Sequence, residues 1–129
     1  MTLRKVAIAG CRDKTISFMD LDICCSFPMQ TYIVGDCKTG IDKCVRDWCK
    51  DRGHEVKVYA ADWDTHGRAA GPIRNKAMVK DADILYAFWD GKSPGTKSAI
   101  TEATLAGIPV TIFPVGPAVR QPYINLGDE

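Results

Sequence analysis

The strongest constraint on this chain is a repeated alternation. Five short apolar runs each end in a polar, glycine-containing or proline-containing turn, and helical patterns fill the gaps between them. The runs are Val6-Ala7-Ile8-Ala9, Tyr32-Ile33-Val34, Val56-Lys57-Val58-Tyr59, Ile84-Leu85-Tyr86-Ala87-Phe88 and Val110-Thr111-Ile112-Phe113. They are too short for helices and rich in β-branched and aromatic residues, so they read as buried strands. A weak helix is expected over residues 15–25, with apolar Ile16, Met19, Leu21 and Ile23. An amphipathic helix is expected from Gly40 to Arg52. Its apolar residues Ile41, Cys44, Val45, Trp48 and Cys49 recur at helical spacing, and Gly53 stops it. A long loop over residues 60–71 precedes a helix over about 72–81, and a last helix over 95–106 stops at Gly107. Strands alternating with helices predict an α/β fold: a Rossmann-like three-layer sandwich of about five parallel strands with helices on both faces. A length of 129 residues fits one domain, 1–129, whose proline-bearing tail over 114–129 reads as irregular.

Composition narrows the function classes. A net charge of +1 gives no broad basic surface, so nucleic acid is not the expected partner. No apolar stretch is long enough to span a membrane, and no signal peptide is visible, so a cytoplasmic protein is expected. The six cysteines do not have zinc-ligand spacing. They are expected to be reduced thiols, with no metal and no cofactor. There is no Walker lysine motif and no GxGxxG. His54 and His66 stand alone and read as surface residues.

In a parallel sheet, ligands bind beyond the carboxyl ends of the strands, where the strand order reverses. The residues after each strand are therefore the candidates. They are Gly10, Cys11 and Arg12 after the first strand, then Gly35, Asp36, Thr39, Gly40 and Asp42 after the second. Trp63, Gly71, Pro72, Arg74 and Asn75 follow the third, and Asp90, Gly91, Ser93, Gly95 and Thr96 follow the fourth. Glycine lets backbone approach a ligand closely, and a helix start presents N–H groups to an anion. Thr39-Gly40, Gly71-Pro72 and Gly95-Thr96 are the expected helix starts. Arg74, in the expected first turn, reads as a two-pronged clamp for phosphate or carboxylate. Asp36, Asp42 and Asp90 suit ribose hydroxyls or base N–H groups. Cys11 and Cys37 read as small pocket-wall residues.

The segments GCRD, GDCKTGID, ADWDTHGRAAGPIRNKAM, AFWDGKSPGTKSAI and AGIPV together resemble the SLOG superfamily over about residues 5–113, in particular a small branch of it. The resemblance implies a Rossmann-like fold, a nucleotide or nucleotide-derived ligand and a homo-oligomer. Its relatives include phosphoribohydrolases, the molybdenum-cofactor carrier protein and DNA-processing protein A. The phosphoribohydrolases carry MHxRKxxM and PGGxGTxxE. Here Arg74 and Met78 match the first motif and Gly95-Thr96 match the second, but the glutamate position falls on Ala99. Asp36, Asp90 and Glu102, one turn beyond Ala99, are the remaining candidate catalytic carboxylates.

The leading expectation is therefore a protein that binds a nucleotide-like ligand as carrier, sensor or sequestering protein, including a phage-type sponge for defence signals. A nucleotide hydrolase cleaving an N-glycosidic or phosphate bond is the second reading. A single-stranded nucleic-acid binding module is the third.

Overall fold

The computed structural model describes residues 3–27 and 30–116. The elements in chain order are β1 (Arg4–Gly10), α1 (Phe18–Cys24), β2 (Gln30–Gly35), α2 (Gly40–Arg52), β3 (Val56–Tyr59), α3 (Trp63–His66), α4 (Ala70–Lys80), β4 (Ile84–Trp89), α5 (Pro94–Ala106) and β5 (Val110–Pro114). A single 3₁₀ turn, Gly67–Ala69, joins α3 to α4. All five strands run parallel in one sheet, in the order β3-β2-β1-β4-β5. This is the expected Rossmann-like architecture.

Strand alternation sorts the core into two layers. Val6 and Ile8 of β1, Tyr32 and Val34 of β2, and Tyr86 and Phe88 of β4 point to one face, where they meet Leu21 of α1 and Ile41, Val45, Trp48 and Cys49 of α2. The alternate residues Ala7, Ala9, Ile33, Leu85 and Ala87 point to the other, against Met78 and Val79 of α4 and Ala99 and Ala103 of α5. The second face is rich in alanine, so α4 and α5 can lie close to the strand ends. The chain winds outward from β1 through β2 to β3, then returns to the far side of β1 for β4. The strand order thus reverses between β1 and β4, and the crevice above that point is where a ligand site belongs.

Two sequence expectations need correction. The loop over 60–71 is mostly helical: Asp62 caps α3, its Oδ1 accepting from Thr65 N–H at 3.1 Å, and the 3₁₀ turn runs directly into α4. The first helix begins only at Phe18, where Ser17 Oγ accepts from Asp20 N–H at 3.0 Å. The expected irregular tail lies mostly outside the described residues, although its first residue, Pro114, closes β5. Among the described residues no helix is long and apolar enough to cross a membrane. Cys11, Cys25, Cys37, Cys44 and Cys49 are free thiols, and burial pushes Cys25 and Cys49 up to about 12.

Candidate functional site

A cavity of about 900 Å³ opens at the carboxyl ends of β1 and β2, beneath the amino-terminal parts of α4 and α5. Gly10, Cys11, Arg12 and Asp13 line it after β1, and Gly35, Cys37 and Asp42 line it after β2. Trp63, Arg68, Gly71, Pro72, Arg74 and Asn75 form a second wall, and Ser93, Pro94, Gly95, Thr96 and Ser98 a third. Most of the sequence candidates therefore converge on one space. Asp36, Thr39, Gly40, Asp90 and Gly91 are not among its wall residues.

Those five support the wall from behind or beside it. Gly40 has φ +72°, and a Cβ there would come within 2.4 Å of the Cys11 carbonyl oxygen. Only glycine fits that contact. Thr39 Oγ1 donates to the Arg12 carbonyl at 2.8 Å, and Ile41 N–H donates to the Cys11 carbonyl at 3.0 Å. The start of α2 is thus stitched to the loop after β1, which occupies its Ile41 N–H. Asp90 Oδ1 accepts from Lys92 N–H at 2.9 Å and Ser93 N–H at 2.8 Å, folding the chain into α5. The Ser93 and Lys92 amides hold Asp90 down to about 2, so it is an ionised structural acceptor. Gly91, at φ +84°, makes the turn between them.

The three expected helix starts differ in what they offer. At the Thr39-Gly40 start the Ile41 N–H and the Thr39 hydroxyl both donate to the loop after β1. The Gly71-Pro72 start lies inside a continuous helical segment, since α4 begins at Ala70 and the Ala70 N–H already donates to the Gly67 carbonyl. Arg74 therefore sits beyond the first turn. The start of α5, like the other two, has no side-chain cap; no acid lies in its first turn, and Pro94 opens it. Its first N–H groups have no intrahelical acceptor. Thr96 sits there, 2% exposed, with its Oγ1 unpartnered among the described residues. Asn75 of α4 holds this start in place, its Nδ2 donating to the Gly95 carbonyl at 3.3 Å and to Ser98 Oγ at 3.4 Å.

Arg74 is not the free clamp that its position in the sequence suggests. Its Nη1 donates to Asp36 Oδ1 at 3.1 Å and to the Tyr59 carbonyl at 3.4 Å, and its Nε donates to Asn75 Oδ1 at 3.0 Å. Asp42 is 7% exposed and accepts from Cys37 N–H at 3.3 Å. Burial raises its pKa above the usual carboxylate range, against the opposing pull of Arg74. Both side chains crowd Gly35: a Cβ there would lie 2.5 Å from Arg74 Nη1 and 2.6 Å from Asp42 Oδ2. Gly35 is therefore a requirement of this ion cluster.

Of the three proposed catalytic carboxylates, Asp36 is tied to Arg74 and Asp90 to the α5 entry. Glu102 lies elsewhere, in a separate groove between α4 and α5 with Lys76, Val79, Lys80 and Leu105. One turn beyond Ser98 carries its side chain away from the cavity, and Ala99 at the family's glutamate position is buried in the core. The carboxylates that line the cavity are Asp13 and Asp42. Arg68 also lines it; the loop assigned to its segment concealed it. Neither histidine is on the wall, and His54 packs against the Trp48 ring at 4.5 Å.

No family model matches the chain. The Gene 61 protein of Mycobacterium phage D29 is 36% identical over 121 residues, which cover 86% of this chain and 97% of that protein. The chain belongs to the family of that phage protein. Among solved structures, DNA processing protein A from Streptococcus pneumoniae superimposes with a TM-score of 0.68 at 14% identity, over 90% of this chain. That likeness is one of fold, and the chain spans about half (52%) of the solved structure.

Proposed function

We propose that this member of the phage family binds a nucleotide or nucleotide-derived molecule, with a phosphate seated at the start of α5. The observation that carries the reading is Thr96. Its hydroxyl is buried without a partner, on the wall of a 900 Å³ cavity, at the uncapped start of a long helix. A buried unsatisfied hydroxyl is costly unless something else completes it. A phosphate oxygen would do so, and the free N–H groups and positive end of the helix favour an anion there. Asp42 lines the same cavity as an acceptor for hydroxyl donors such as those of a ribose.

The role is carrier, sensor or sequestering protein, and a phage relative fits sequestration of a host nucleotide signal. A place in the SLOG superfamily and assembly as a homo-oligomer belong to the same proposal. Turnover is the second reading, favoured by the buried Asp42 carboxylate at the cavity.

The direct experiment is to load the purified protein from a nucleotide extract, denature it and weigh the released molecules by mass spectrometry. An intact nucleotide in near-stoichiometric amount is the expected result, whereas base or ribose phosphate formed only with active protein would move the assignment to a hydrolase. The Thr96→Val variant supplies the control. It keeps the shape and removes the hydroxyl, so affinity should fall by about 1 kcal/mol or more while thermal stability holds or rises. Equal retention by both proteins would overturn the phosphate seat.

A further inference from the structure

The three tryptophans of this chain are used differently. Trp48 is fully buried, and its indole Nε1 donates to Asp22 Oδ1 at 2.8 Å. Trp89 is half-buried, and its Nε1 donates to the Ser93 carbonyl at 3.1 Å. Trp63 is 49% exposed, and its indole N–H has no acceptor among the described residues. A ring of that size left half in water sacrifices burial that the fold would otherwise gain.

Trp63 is nonetheless held in place. It opens α3 immediately after the Asp62 cap, and its carbonyl accepts from the Gly67 N–H. Its ring reaches over α4 at Gly71, where a Cβ would stand 3.5 Å from Cη2, in ordinary contact. The ring lines the cavity on the α3–α4 wall, while Thr96 lines it from α5, and the two share the lining with the cationic Arg68.

Resting on the nucleotide reading above, we infer that Trp63 is the stacking platform for the planar base of the ligand. The cavity then has two poles: a phosphate end at the α5 start and an aromatic end at the α3–α4 wall. The ligand class is a nucleotide that keeps its base, and a sugar phosphate alone would fill one pole only. Stacking on an aromatic side chain tolerates any base, because every base has a π face.

Isothermal titration calorimetry and tryptophan fluorescence on the full chain test this, with AMP, GMP, CMP and UMP titrated separately and ribose 5-phosphate as the ringless probe. At least one nucleotide should bind and quench fluorescence, and the quench should disappear in Trp63→Leu. That variant should lose affinity for the nucleotide at least about 5-fold, the low end of a base–aromatic stack. Trp63→Phe should recover most of the loss, and ribose 5-phosphate should bind all three proteins alike. Melting curves establish that the variants are folded, and the Phe variant serves if the Leu variant is not. Nucleotide binding that is indifferent to Trp63→Leu, or a loss shared equally by ribose 5-phosphate, would overturn the platform while leaving the phosphate seat standing. No binding by any of the five probes would overturn the nucleotide reading, and this inference with it.

Discussion

Arg74 shows how one side chain can belong to two networks. Asp36, on the exposed side, and any bound anion, on the cavity side, compete for the same guanidinium. The pair is partly solvated, so its own worth is small, about 1 kcal/mol or less. Asp36→Asn should therefore release Arg74 toward the cavity and tighten an anionic ligand about 2- to 5-fold. Arg74→Ala should weaken the ligand and also destabilise the fold, because it removes the larger of the two opposing charges at buried Asp42, the other being Arg46. Calorimetry combined with urea unfolding of both variants checks this. Weakened binding in Asp36→Asn would mean that the pair orients Arg74 rather than withholding it. This is also where the sequence stopped being readable. Gly10, Cys11, Arg12 and Gly35 were legible as wall residues, because a parallel sheet sends all its carboxyl ends to one edge, whereas Asp36 and Asp90, which follow strands just as directly, are not on the wall. The Asp36–Arg74 pair, 38 residues apart, depends on how α4 is rotated against β2. Glu102 was misplaced for a similar reason: one helical turn along α5 is enough to leave the cavity for another groove.

At the scale of elements, the loops do the positioning, and two of their features are testable. Gly40 and Gly53 flank α2 with nearly the same dihedral, φ +72° and +75°, but a Cβ at Gly53 would meet nothing within 4 Å. Gly53→Ala should cost only the left-handed backbone penalty, about 1 kcal/mol. Gly40→Ala carries that penalty and a collision with the Cys11–Arg12 backbone, so about 3 kcal/mol is expected from urea unfolding. Equal costs would show that the loop after β1 yields freely. Asp90 gives the α5 entry a pH signature. Its folded pKa of about 2 lies below the ordinary aspartate value of about 3.9. Its contribution is thus complete above about pH 4 and is lost as pH falls through about 2. The advantage of the wild type over Asp90→Asn in thermal melts should shrink across that window, and a constant difference would dissociate Asp90 from the α5 entry. The strands and the amphipathic helix α2 were legible because apolar periodicity marks them. Helix α3 was not, since its start is written by a single capping Asp62 and its four residues bury nothing.

For the molecule as a whole, the open question between a nucleotide site and a strand-binding surface turns on where the positive charge lies. The chain carries 17 Lys and Arg against 16 Asp and Glu, so no net field favours a polyanion. Several of the basic residues are also spent in ion pairs: Lys5 and Lys57 on Asp81, Lys43 on Asp47 and Arg52 on Asp22. Arg12 and Arg68, together with Arg74 and its Asp36 partner, gather at one cavity beside the strand-order switch. The likeness to DNA processing protein A is one of fold and by itself assigns no nucleic-acid surface to this chain, because fold and site are separable and this chain spans about half of that structure. A ligand held by one or two phosphates in such a cavity should show a shallow salt dependence, with a slope of log K against log salt no steeper than about −2. A single-stranded oligonucleotide tracked over many phosphates would give a steeper slope, about −0.7 for each phosphate neutralised. Fluorescence anisotropy with a labelled 20-mer, run beside calorimetry with a mononucleotide from 50 to 300 mM salt, separates the two. The expected outcome is weak oligonucleotide binding that vanishes at the higher salt, alongside nucleotide binding that persists and depends on Thr96. Tight oligonucleotide binding with a steep slope, unchanged by Thr96→Val, would place the working surface outside the cavity.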